Sequence, residues 1–131
     1  MRKGVLLNSN IMQTISKMGH KDKLIIANAG LPIPKNVERI DLALKEGVPS
    51  FIETLDVVLL ELEVECIILA EEIKEMNPDI WDEIVERFEK SKIRYVPHEE
   101  LKTISQSAKA VVRTGECSPY ANIILEAGII F

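Results

Sequence analysis

Short apolar runs alternate along this chain with longer stretches in which apolar residues recur every three or four positions. Leu24-Ile25-Ile26-Ala27 is bounded by Lys21-Asp22-Lys23 on one side and Asn28 on the other. A continuous apolar run of that length predicts a strand covered on both faces. Cys66-Ile67-Ile68-Leu69-Ala70 repeats the pattern, and Ile93-Arg94-Tyr95-Val96, Ala110-Val111-Val112 and Ile123-Ile124-Leu125 predict three further strands. Ile40, Leu42 and Leu44 alternate with Asp41 and Lys45, predicting one more strand that ends at Gly47 and Pro49. Between these runs the period changes. Ile11, Ile15 and Met18 mark one helix face, with Asn8 or Ser9 as the cap and Gly19 to end it. Phe51, Leu55, Val58, Leu59 and Leu62 mark a second. Asn77-Pro78 places a capping residue before a proline at the first helical position, ahead of Ile80, Ile84, Val85 and Phe88. A short helix is expected from Glu99 to Ser107.

Strands alternating with helices predict an α/β layered fold with a largely parallel central sheet and flanking helices, in which ligands collect at the carboxyl ends of strands. Asn28 and His98 fall at such ends. The length of 131 residues fits one domain, 1-131, with a real core. Hydrophobic residues make up 47% and charged residues 28%, an ordinary composition for a soluble protein. The net charge of −5 and the lack of a basic stripe argue against nucleic acid or an anionic membrane as partner. The apolar segment after Met1-Arg2-Lys3-Gly4 is too short for a signal peptide, and no stretch approaches the roughly 20 apolar residues of a membrane span. Cys66 and Cys117 lack CxxC spacing, so a reducing cytoplasm is the expected location. Ile129-Ile130-Phe131 is apolar, whereas termini are usually polar. Packing onto the chain's own core and contact with another subunit are both open explanations.

Chemistry is concentrated in Arg113-Thr114-Gly115-Glu116-Cys117-Ser118-Pro119-Tyr120-Ala121-Asn122, just ahead of the last apolar run. A guanidinium, hydroxyls of different reach, a carboxylate and a carboxamide supply donors and acceptors suited to a polyol, while Gly115 and Pro119 shape the loop. Taken singly, Tyr120 reads as half-buried core and Asn122 as a turn former. Arg113 and Glu116 are expected to pair with each other within the loop. The chain has two histidines, His20 and His98, and a general acid or base working near neutral pH is expected to be one of them. The acidic runs Glu61-Leu62-Glu63-Val64-Glu65 and Glu71-Glu72-Ile73-Lys74-Glu75 have no histidine near them in sequence and read as solvated faces rather than metal sites. No GxGxxG, P-loop or serine elbow is present.

Gly19-His20, Ala29-Gly30-Leu31-Pro32-Ile33-Pro34, Pro97-His98-Glu99-Glu100 and Tyr120-Ala121-Asn122 together resemble the D-ribose pyranase family, relatives of the fucose mutarotases, over nearly the whole chain. The resemblance implies an isomerase of carbohydrate metabolism, active in ribose catabolism, that interconverts the β-pyranose and β-furanose forms of D-ribose without metal or cofactor. It implies His20 as the catalytic acid/base. It further implies Asn28, His98 and the tripeptide Tyr120, Ala121 and Asn122 as sugar ligands, and a homodecamer of two pentameric rings. One departure stands out. Where the family usually has Asp-Ala-Gly-Leu-Pro, this chain has Asn28-Ala29-Gly30-Leu31-Pro32. Asparagine keeps an acceptor oxygen but loses the charge that would act on a nearby histidine. A non-catalytic ribose-binding or regulatory module and a fucose mutarotase therefore remain as alternatives.

Overall fold

The computed structural model describes all residues, Met1–Phe131. The chain runs through α1 (Ser9–Lys17), β1 (Lys23–Ala27), β2 (Glu38–Asp41), α2 (Phe51–Leu59), β3 (Val64–Ala70), α3 (Ile73–Met76) and α4 (Pro78–Val85), then β4 (Ile93–Val96), α5 (His98–Ser105), β5 (Ala110–Arg113) and β6 (Ile123–Ala127). The six strands form one sheet in the order β2-β5-β1-β6-β3-β4. β2 with β5, β5 with β1, and β3 with β4 are parallel pairs; β6 runs antiparallel to both of its neighbours, β1 and β3.

Successive strand residues point to opposite faces, and both faces are covered. Leu24, Ile26, Ile67, Leu69, Ile123 and Leu125 face a core built with Ile11 of α1, Phe51 and Leu55 of α2, and Ile84 of α4. Ile25, Ile68, Val111 and Ile124 face a second core closed by Leu101 of α5 together with Leu31 and Val37 from the segment after β1. This two-sided burial is the reason the strands read as unbroken apolar runs. Phe51, fully buried, contributes roughly 1.5–3 kcal/mol by leaving water. Asn8 caps α1 by accepting the Ile11 N–H at 2.9 Å, and Ser50 caps α2 through the Glu53 N–H at 3.1 Å.

Two sequence expectations about these elements need correction. The strand expected through Leu42 and Leu44 ends at Asp41, because its partner β5 ends at Arg113, whose carbonyl accepts the Leu42 N–H. Glu71 to Glu75 contains the short helix α3, in which Ile73 is buried while Glu71, Lys74 and Glu75 stay exposed, as a solvated face requires. Asn77 precedes α4 as expected, but its side chain makes no bond to the helix. The apolar end does not pack onto the chain's own core: Ile130 and Phe131 are 89% and 97% exposed. No helix is long and apolar enough to cross a membrane.

Candidate functional site

The parallel strands β1 and β4 deliver Asn28 and His98 to the same edge of the sheet, Asn28 directly after β1 and His98 two residues after β4. Because β6 is antiparallel to β1, the residues before it reach this edge as well. Tyr120 and Asn122 thus meet Asn28 and His98 around a recess of about 370 Å³, which Gly30, Leu31, Pro32, Met76 and Pro119 complete. Ala121 lies between them in sequence, fully buried in the core, and contributes no exposed side chain.

Each polar member is held by the fold. The Asn28 N–H donates to Asn122 Oδ1 at 2.9 Å. Asn28 Nδ2 donates to the Ser118 carbonyl at 3.0 Å, and its Oδ1 accepts the Gly30 N–H at 3.2 Å. A carbonyl only accepts and an N–H only donates, so the orientation of this carboxamide is fixed by its neighbours. The His98 ring meets the Tyr120 ring edge to face, with centroids 5.1 Å apart. His98 Nδ1 is buried without a partner in the chain, the single buried side-chain polar atom so placed; buried polar atoms in folded proteins are nearly always hydrogen-bonded, so this one stands out. The main-chain N–H of His98, at the start of α5, donates to both oxygens of Glu72, at 3.0 and 3.2 Å. Tyr120 has φ of +56°, in the left-handed region, at a cost of about 1–2 kcal/mol for a residue with a side chain. Such strain persists where surrounding contacts over-determine it.

Gly115 allows the loop to begin where it does. A Cβ there would lie 2.4 Å from the Val48 carbonyl oxygen and 2.5 Å from that of Lys45. The expected ion pair between Arg113 and Glu116 is absent. Arg113 bonds Asp41 at 3.0 and 3.2 Å and the Ala29 carbonyl at 3.0 Å, tying β5 to β2 and to the segment after β1. Burial pushes the Asp41 carboxyl up, but the hydrogen bonds from Arg113 and the Ala43 N–H, with the charges of Arg113 and Arg39, together outweigh it, and the net shift is downward. Glu116 turns inward, accepting the Phe51 N–H at 3.1 Å and the Ser118 hydroxyl at 2.8 Å.

His20 lies elsewhere. It precedes β1, at the edge where β6 ends, and lines a different depression with Met18, Gly128, Ile129, Ile130 and Phe131. Its Nε2 is 2.9 Å from Glu65 Oε2, and Lys21 Nζ donates to the other oxygen of Glu65 at 3.1 Å. The bond to His20, then that to Lys21, holds the Glu65 carboxyl below its ordinary value. With an ionised carboxylate accepting from Nε2–H, a neutral ring keeps the lone pair on Nδ1, so Nδ1 is the nitrogen able to take a proton. The acidic runs read from sequence as solvated faces therefore supply one residue to each histidine, Glu65 to His20 and Glu72 to His98. Separations of 45 and 26 residues hid both pairings from a reading of local spacing.

A family model described as the RbsD / FucU transport protein family matches residues 1–130. The chain belongs to this family. It is 56% identical to a D-ribose pyranase of Clostridium perfringens over 131 residues, covering all of both chains. It is 52% identical to a D-ribose pyranase of Proteus mirabilis over 139 aligned positions, again covering all of both. Among solved structures, Bacillus subtilis RbsD complexed with D-ribose matches with a TM-score of 0.96 at 46% identity over the whole of both chains. A fucose mutarotase from Streptococcus pneumoniae in complex with L-fucose matches with a TM-score of 0.79 at 26% identity, over 95% of this chain and 94% of that one.

Proposed function

We propose that this protein is a D-ribose pyranase, an intramolecular isomerase that interconverts the β-pyranose and β-furanose forms of D-ribose and so supplies ribose for phosphorylation. The observation that carries this reading is the full-length likeness, at 46% identity, to a chain solved with D-ribose. The recess formed by Asn28, His98, Tyr120 and Asn122 gives it a physical basis. The fucose-bound relative is more distant, at 26% identity, so ribose is favoured over fucose. Asn28 retains an acceptor, which supports sugar binding without the usual carboxylate.

The reaction needs only proton movement. A base takes the proton of the anomeric hydroxyl while the ring oxygen gains one; the bond from C1 to the ring oxygen breaks, giving the open-chain aldehyde. A different hydroxyl then adds to C1, loses its proton, and returns one to the carbonyl oxygen. Each transfer by a placed side chain is typically worth ~10²–10⁴-fold. His20, oriented by Glu65, is the acid/base in this reading, and the residues of the recess hold the hydroxyls. His20 and the recess lie at opposite edges of the sheet, separated by β1, whose five residues span roughly 16 Å. A second copy of the chain bringing its His20 to this recess completes the set. The exposed Ile129, Ile130 and Phe131 beside His20 provide apolar surface for that contact. A cytoplasmic homodecamer of two pentameric rings is the assembly proposed.

Saturation-transfer NMR on D-ribose tests the function. Exchange between pyranose and furanose signals faster than the spontaneous rate is expected with the protein present. Binding without accelerated exchange would instead identify a sugar-binding module.

A further inference from the structure

Asn77 stands before Pro78 at the junction of α3 and α4, a position that suggests a helix cap. Its carboxamide faces the other way. The side chain is 8% exposed and does not line the recess. Its Nδ2 donates to Ser118 Oγ at 3.0 Å and to the Pro119 carbonyl at 2.8 Å. The carbonyl can only accept, which fixes the amide orientation. The Ser118 hydroxyl donates in turn to Glu116, and Glu116 accepts from the main chain at the start of α2. A continuous polar chain thus runs from the α3–α4 junction, through the loop, to α2. Asn28 bonds the Ser118 carbonyl from the recess side, so the carbonyls of Ser118 and Pro119 are clamped by two carboxamides. The next residue is Tyr120, in the left-handed conformation.

We infer that Asn77 is a positioning residue for sugar binding: its carboxamide fixes Ser118 and Pro119 in the arrangement that presents Tyr120 and Asn122 to the recess. This inference rests on the ribose site proposed above. Removing the donor leaves two acceptors unmatched and lets the loop leave its strained, competent form. When only a fraction of molecules is competent, the apparent dissociation constant rises by the inverse of that fraction. Saturating sugar restores the competent form, so the rate at saturation is largely kept. A group acting on the reacting atoms would lose that rate as well.

The test uses Asn77→Asp, which keeps size and capping preference but loses the donor, and Ser118→Ala, which removes the shared hydroxyl. Ribose affinity is measured by titration and the saturated exchange rate by NMR. Affinity about tenfold weaker, with a saturated rate within about threefold of the wild type, is expected for each variant. The double variant should be little weaker than the weaker single one, since both changes break one network. Unchanged affinity in both variants, or a saturated rate that falls as far as affinity, overturns the inference. If Asn77→Asp does not fold, the same two readouts on Ser118→Ala decide. Wild-type protein that does not bind ribose overturns the site reading, and this inference with it.

Discussion

His20 and Asn28 flank β1 at opposite ends, so the proposed acid/base and the first of the proposed sugar ligands lie at opposite edges of one sheet. No side-chain rotation closes a gap set by the length of a strand. In the reading proposed here, each recess is served by the histidine of another copy. Mixed oligomers of His20→Ala and Tyr120→Ala chains, each inactive alone, are therefore expected to regain exchange activity after subunits are exchanged. Saturation-transfer NMR before and after unfolding and co-refolding the two chains measures this. Mixtures no more active than their parents, or a fully active monomer, would sink the shared arrangement.

His20→Ala itself is expected to lower ring interconversion by ~10²–10⁴-fold while leaving ribose affinity within a few-fold, because it removes a proton carrier and leaves the recess intact. Titration and exchange measured on the same sample separate the two effects. Equal losses in both would make His20 a ligand.

Asn28→Asp replaces the group that donates to the Ser118 carbonyl with one that, ionised, can only accept. A stability loss of about 1 kcal/mol is expected at neutral pH, measured by denaturant unfolding. The carbonyl disfavours the charged form, which raises the folded-state pKa of the new carboxyl. Stability relative to wild type should then be preserved at acid pH and lost as pH rises through that value. Affinity for ribose should weaken at neutral pH as well, since the Ser118 carbonyl loses its donor even though an acceptor oxygen is kept. A pH-independent difference would contradict the donor role assigned to Asn28.

Asp56 and Arg87 give a pH effect of opposite sign. Arg87 donates to both carboxylate oxygens, and the hydrogen bonding outweighs burial to hold Asp56 below its ordinary value of 3.8. A depressed folded-state pKa contributes stability above the unfolded value that is lost as pH falls through the folded one. The carboxylate is half exposed, so the contribution is under about 1 kcal/mol. Arg87→Gln should be less stable than wild type at pH 7, with the gap closing below the ordinary aspartate range. Denaturation midpoints at several pH values measure it.

Gly115→Ala would set a Cβ against the Lys45 and Val48 backbone, where no flexible side chain can give way. A loss of about 1–3 kcal/mol is expected, together with weaker ribose binding because the loop starts there. Wild-type stability in this variant would mean that the turn at Lys45 to Val48 moves freely.

The strands were legible because burial on both faces leaves continuous apolar runs, and the helices because their faces keep the 3–4 spacing. The end of β2 at Asp41 was not, since it depends on where its partner β5 stops. The site divided in the same way. Asn28 and His98 could be placed from sequence, as each follows a strand, and the resemblance named Tyr120 and Asn122. The roles of Asn77, Glu65 and Glu72 depend on partners 26 to 45 residues away, and local pattern assigned all three to ordinary caps or solvated faces. Arg113 and Glu116 looked like natural partners at a distance of three residues, yet Asp41, on the strand beside Arg113, and the start of α2 claim them instead.

β6 is the only link between β2-β5-β1 and β3-β4, and it is the last strand of the sequence. Until it is in place, β1 and β3 each present an apolar edge with unpaired main-chain groups, the kind of surface that recruits other chains. The chain must be synthesised through Ala127 before this gap can close, and the pairing that closes it is long-range, a class of contact that forms slowly. The central strand is thus a late keystone. The partly made chain is most open to aggregation just before β6 emerges, and folding of the sheet coincides with arrival of the loop that builds the recess.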